Sequence, residues 1–113
     1  MVNLGEFEEV VLLAVLRLED EAYAIPIREE IRRRAHRGVA RGALYTALDR
    51  LSGEGLVRMV REEIVNGRAR RHYDLTPAGR SALEAEAAHL AEAARVVIDR
   101  TARVTKRPAA GLA

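Results

Sequence analysis

At 113 residues the chain has the size of one compact domain, and its 30 Val, Ile, Leu and Phe residues suffice for a small core. It contains no Cys, which excludes disulfides, thiolate metal sites and a cysteine nucleophile. The formal net charge is only +2, but it is −5 over residues 1–27, +6 over 28–71 and +1 over 72–113, so the middle third carries the basic field.

Eighteen of the 19 basic residues are Arg, the side chain suited to bidentate phosphate and guanine contacts. Genome composition produces the same bias, so placement along the chain has to decide. The longest apolar stretch, Val10 to Leu16, is about a third of a bilayer span. It follows three acidic residues, the wrong flank for a signal peptide. A soluble, cytoplasmic domain with no membrane partner is expected.

Residues 4–18 place Phe7, Val10, Val11, Ala14, Val15 and Leu18 at helical spacing, with Glu6, Glu8 and Glu9 favouring the positive end of the helix dipole. Glu19-Asp20-Glu21 breaks the pattern and reads as a loop. A second helix is predicted from about Ala24 to Ala35, with Pro26 in its first turn and Ile27 and Ile31 buried. Arg32, Arg33, Arg34 and Arg37 gather at its end before Gly38, which is expected to close it. In the third helix Leu44, Leu48 and Leu51 fall at i, i+4 and i+7 and are buried. Its other face carries Arg41, Gly42, Ala43, Tyr45, Thr46, Asp49 and Arg50. Two inward-facing helices followed by a third with small, basic and hydroxyl residues outward suggest a helix-turn-helix.

The period then changes from 3.6 to 2. Residues 56–65 and 68–75 flank Asn66-Gly67, a strong hairpin signal. A two-residue turn there sets Glu63 opposite Arg70, Glu62 opposite Arg71 and Val60 opposite Tyr73. Thr76-Pro77 opens a last helix as an N-cap followed by proline at the first helical position. Along it Leu83, Ala87, Leu90, Ala94, Val97 and Thr101 alternate steps of four and three, the spacing of a coiled-coil seam. Eight alanines between Ala78 and Arg100 allow a partner helix to approach closely. The segment after Val104 has no period. The chain thus divides into 1–75, a winged helix-turn-helix unit; 76–104, a dimerisation helix; and 105–113, a disordered tail.

This order, mainly α with a β-hairpin wing, describes a winged helix-turn-helix plus a C-terminal dimerisation helix: one helix fits a major groove and the wing reaches the backbone or a minor groove. Three strings make the likeness specific: LGEFEEVVLLAVL at 4–16, RGALYTALDRLSGEGLV at 41–57 and RARRHYDLTPAGRSAL at 68–83. They resemble the signature blocks of PadR-family transcriptional regulators, and the order and spacing hold over residues 4–97. That resemblance implies a homodimer that binds double-stranded DNA, usually as a repressor, with the C-terminal helix and Phe7 in the dimer contact. It also implies a small lipophilic or aromatic effector, held in the dimer cleft, and calls for no cofactor. The sequence departs from the family pattern at Ala40, where a Ser or Thr cap usually precedes the third helix. It also has a single C-terminal helix, as in short-tailed members, and few aromatic residues to line an effector slot.

Arg41, Gly42, Ala43 and Thr46 are therefore expected at base edges or close to the backbone. Tyr45 has two readings, a ring sealing the core edge or a hydroxyl on a phosphate. Arg50 either touches DNA backbone or pairs with Glu54 at i+4. Arg68, Arg70 and Arg71 are expected wing contacts, with Arg68 the least occupied by cross-strand pairing. His36, His72 and His89 have no metal-site spacing and are read as structural or surface residues. Glu62 and Glu63 point to opposite faces of a strand, which argues against paired catalytic carboxylates. Nothing in the pattern asks for an enzyme or a metal. A protein-interaction module that kept the winged fold and lost DNA binding stays open as the second reading. Double-stranded RNA, whose narrow major groove excludes a helix, is a weaker third.

Overall fold

A computed structural model of the chain describes residues 4–106. Its elements follow in the order α1 (Glu6–Leu18), α2 (Ala24–Ala35), α3 (Arg41–Gly53), β1 (Val57–Val65), β2 (Arg68–Leu75) and α4 (Pro77–Lys106). The expected class, mainly helical with a hairpin wing, is what forms. Glu19–Glu21, expected as a loop, is a 3₁₀ turn between α1 and α2. Two compact units divide the chain after Leu83.

In the first unit the apolar stripes of α1, α2 and α3 meet. Val11, Leu12 and Val15 of α1, Ile27 and Ile31 of α2, and Leu44, Leu48 and Leu51 of α3 are all buried. Burial of each such side chain stabilises the fold by roughly 1.5–3 kcal/mol. Leu12 lies outside the single stripe read from the sequence, and it is buried because α1 packs against α2, α3 and β2 together. The helix ends differ in kind. α2 closes on His36 in the left-handed conformation (φ 55°), two residues before the expected Gly38. α3 closes with the Leu56 N–H on the Leu51 carbonyl and the Gly55 N–H on the Ser52 carbonyl, the Schellman arrangement.

The hairpin turns at Asn66 (φ 52°) and Gly67 (φ 76°), both left-handed as a type I′ turn requires. From the tip to Arg61 opposite His72 the register is the expected one. Beyond it the pairing shifts, and Met59, not Val60, lies opposite Tyr73. Val60 is the extra residue of a β-bulge, a feature that alternating apolar and polar residues do not announce. The base of the hairpin is tied to the turn before α2 by the Tyr73 N–H on the Ala22 carbonyl at 2.9 Å.

α4 starts on the cap expected for it. The Thr76 hydroxyl accepts the Gly79 N–H at 3.0 Å and donates to the Gly55 carbonyl, while the Thr76 N–H donates to the Leu56 carbonyl. Gly79 is obligatory here, because a Cβ at this position would lie 2.0 Å from the Leu56 carbonyl oxygen. Leu83 closes this part of the helix against the core.

The second unit is the continuation of α4. It runs helical through Lys106, two residues past the expected end of the helix at Val104; residues 107–113 of the expected tail lie outside the described residues. Leu90, Val97 and Val104 are exposed at intervals of seven residues.

Candidate nucleic-acid interface

The period of α3 sorts its residues by face. With Leu44, Ala47, Leu48 and Leu51 turned to the core, Arg41, Gly42, Ala43, Thr46, Asp49 and Arg50 stand exposed on the other side. A Cβ added at Gly42 would meet nothing within 4 Å, so the chain itself does not require glycine there. No side chain caps α3 at Ala40, as the sequence suggests, and none caps α2 at Tyr23.

Between the start of α3 and the wing lies a cleft of about 370 Å³, lined by Arg41, Tyr45, Arg68, Arg70 and Arg71 among the expected residues. The sequence reading did not single out Tyr23, Ala24, Ile25 and Val65, which line it too, and it gave Asn66 chiefly a turn role. The exposed Ile25, directly before Pro26, was the available signal for part of this set, since nothing in the core uses it. No acidic side chain lines the cleft among the described residues. Gly42, Ala43, Thr46 and Arg50 share the exposed helix face without lining the cleft.

The arginines are not equivalent. The side chains of Arg41 and Arg68 are exposed and form no hydrogen bond or ion pair among the described residues, and Arg50 forms none with Glu54. Arg71 donates from Nε to the Glu62 carboxylate at 2.9 Å, an exposed pair that raises the Arg71 pKa through the hydrogen bond and the charge of Glu62. Arg70, although opposite Glu63 in the register, forms no ion pair with it; its guanidinium lies 4.3 Å from the centre of the Tyr23 ring. Glu63 is bound instead to His72 Nε2 at 2.8 Å. The hydrogen bond from His72 holds the Glu63 carboxyl below its ordinary value, with the charges of His72, Arg61 and Arg70 acting the same way. His72 is almost fully buried, which places it among structural residues. Tyr45 is half-buried against the core, as the first reading made of it expects, and it also lies in the cleft wall. Burial raises the Tyr73 pKa above its ordinary value.

Among the described residues no group of His, Cys, Asp or Glu could hold a metal, and no helix is long and apolar enough to cross a membrane. Phe7 is half-buried on the core with the Arg37 guanidinium 5.3 Å from its ring centre. Of the expected dimer seam, Leu83 is buried in the first unit, whereas Ala87, Leu90, Ala94 and Val97 are exposed.

Residues 12–85 match the Transcriptional regulator PadR-like family. The chain belongs to this family. The match runs from the body of α1 to the start of α4 and so includes every wall of the cleft. The PadR-like chain is 40% identical over 80 residues to the transcriptional regulator Rv3488 of Mycobacterium tuberculosis, covering 71% of this chain and 73% of that one. Among solved structures, a PadR-like transcription factor from Bacteroides fragilis is 30% identical with a TM-score of 0.68, over 82% of this chain and 87% of that one. A PadR family transcription regulator from Clostridium difficile R20291 shares the fold at 22% identity, with a TM-score of 0.67 over 84% and 98% of the two chains. PadR-like proteins are DNA-binding transcription regulators of winged-helix fold and are not enzymes.

Proposed function

We propose that this PadR-like regulator binds duplex DNA as a two-fold homodimer and represses transcription by occupying an inverted-repeat operator. The observation that carries the reading is the convergence of Arg41, Arg68, Arg70 and Arg71 on one acid-free cleft between α3 and the wing. In this reading α3 lies in the major groove with Arg41, Gly42, Ala43 and Thr46 toward base edges. Arg50 and the Tyr45 hydroxyl meet backbone phosphates, and Arg68 leads the wing, with Arg70 and Arg71 behind it. The uncapped starts of α2 and α3 support a phosphate in the cleft, because the positive ends of both helix dipoles add to the arginines. An exposed arginine with no protein partner is also free to neutralise a phosphate without first breaking a bond.

Residues 1–75 then serve as the DNA-binding unit and 76–104 as the dimerisation helix. A second copy covers Ala87, Leu90, Ala94 and Val97, with Phe7 as the contact from α1. Leu90 and Val97 are 58% and 64% exposed in the single chain, an apolar row that a solvated helix has no use for. The two recognition helices stand about one DNA turn apart, ~34 Å. A small lipophilic or aromatic effector releases the dimer from DNA by favouring one of its geometries over the other. The protein acts in the cytoplasm.

Selection from a pool of random duplexes tests the DNA reading, which expects enrichment of an inverted repeat. A pool that stays random would favour the protein-interaction module. Sedimentation of Leu90→Glu/Val97→Glu tests the seam: monomers are expected, and a dimer of unchanged mass would remove these residues from the interface.

A further inference from the structure

Strand period two places Arg70 and His72 on one face of β2, with Arg61 and Glu63 beside them on β1. That face meets the turn between α1 and α2. His72 is 2% exposed, unusual for a residue on a wing, and both ring nitrogens are engaged. Nδ1 lies 3.0 Å from the Asp20 carbonyl oxygen and Nε2 lies 2.8 Å from Glu63 Oε1. Arg61 Nη2 lies 3.3 Å from Nδ1 and donates to the same Asp20 carbonyl at 3.5 Å, so the ring is held on both sides. The Tyr23 ring completes the arrangement, with its centre 5.0 Å from that of His72 and 4.3 Å from the Arg70 guanidinium.

We propose that Tyr23 and His72 are positioning residues for DNA binding: they brace the wing against the start of α2 and so fix where Arg68 stands relative to Arg41. This inference rests on the DNA-binding reading above. A two-stranded hairpin alone is marginal in water and needs something behind it. Here the backbone tie from Tyr73 to Ala22 holds only the base, and the Val60 bulge lies beside it as a place to bend. The brace acts farther out, with Arg70 and His72 two and four residues from Arg68. Tyr23 sits at the N-cap of α2 and in the cleft wall, so one ring couples strand, helix start and cleft. A brace of this kind sets geometry without itself neutralising a phosphate.

The test compares two duplexes of equal length, one selected from a random pool by the unsubstituted protein and one not selected. Tyr23→Leu and His72→Gln are expected to lower affinity for the selected duplex by about fivefold or more while changing the other by less than about twofold. The slope of log affinity against log salt stays as in the unsubstituted protein, because no phosphate contact is removed. Tyr23→Phe, which keeps the ring, is expected to bind both duplexes as the unsubstituted protein does. Should His72→Gln fail to melt cooperatively, the two Tyr23 variants carry the comparison. Equal losses on both duplexes, a reduced salt slope, or the same loss in Tyr23→Phe as in Tyr23→Leu would overturn the brace. If the unsubstituted protein selects nothing, the DNA reading falls and this inference with it; if the variants discriminate as well as the unsubstituted protein, only the brace falls.

Discussion

α3 and the wing both present arginine to the same cleft, but they divide fold from binding in opposite ways. In α3 the division is by face: leucines turn inward, and Arg41 and Arg50 stand outward with no ion pair among the described residues. In the wing the same charges hold the structure and face the cleft. Arg71 is paired with Glu62, Arg70 lies on Tyr23, and only Arg68 near the tip is unengaged among these three. A helix of this width can keep a buried stripe and a free stripe apart. A two-stranded ribbon has no interior, so its polar side chains must supply part of its order. Substitutions in α3 should therefore separate stability from binding, and those in the wing should not.

The largest expected effect strikes the joint between the two regions. Leu56 ends the connection from α3 and opens β1, and its carbonyl packs on Gly79. Gly79→Ala puts a Cβ where the nearest atom is backbone that cannot swing aside. A loss of about 3 kcal/mol or more is expected, read as a shifted denaturant midpoint. Unchanged stability would mean that the start of α4 can lift off Leu56, and that helix and wing are less firmly joined than described.

Next come Arg41 and Arg68, the unpaired arginines of the cleft, one from each region. Arg41→Ala and Arg68→Ala should each lower operator affinity by about 1–3 kcal/mol if a base edge is read, and reduce the salt slope by about 1 if a phosphate is met. Both should leave the melting curve nearly unchanged, since substitutions of unpartnered surface residues usually stay within about 0.5 kcal/mol. Arg70→Ala is the contrast: it removes a ring contact as well as a charge, so affinity and stability should fall together. Loss of binding without loss of stability in Arg70→Ala would erase the difference between the regions.

The same contrast decides what the sequence could reveal. The buried face of α3 was legible because Leu44, Leu48 and Leu51 obey one period, and its free face followed as the remainder. The outer hairpin was legible from Asn66-Gly67 and from glutamates falling opposite arginines. The bulge at Val60 was not, because an inserted residue leaves composition and alternation almost intact. Nor was the pairing of Glu63 with His72 rather than Arg70. Register places residues opposite each other, but which neighbour a carboxylate chooses depends on burial and on the turn packed behind the strand. Tyr23 was missed for that reason: its part depends on β2, some 50 residues further along the chain, and no local pattern carries that information.

A smaller effect is expected where the wing holds an arginine in check. Glu62→Ala releases Arg71 from its ion pair, which is exposed, so little of the fold's stability rests on it. DNA affinity should rise about two- to threefold, with a steeper salt slope. Loss of a negative charge alone would also raise affinity, so the deciding measurement is the double substitution. In an Arg71→Ala background the gain should shrink. An equal gain in both backgrounds would show that Glu62 acts only as a repelling charge and that Arg71 was never available to DNA.

The smallest effect concerns Glu63, whose carboxyl is exposed yet held below its ordinary value of 4.5 by the His72 hydrogen bond. A carboxylate with a depressed pKa in the folded chain stabilises it above the ordinary value, and that contribution is lost as pH falls through the lower one. The wing's contribution should thus be intact at neutral pH and fade on acidification below about 4.5. Denaturant midpoints of the unsubstituted protein and Glu63→Gln should differ slightly at pH 6 and converge toward pH 3. A constant difference between the two proteins from pH 6 to pH 3 would show that the acid sensitivity does not come from the bond between Glu63 and His72.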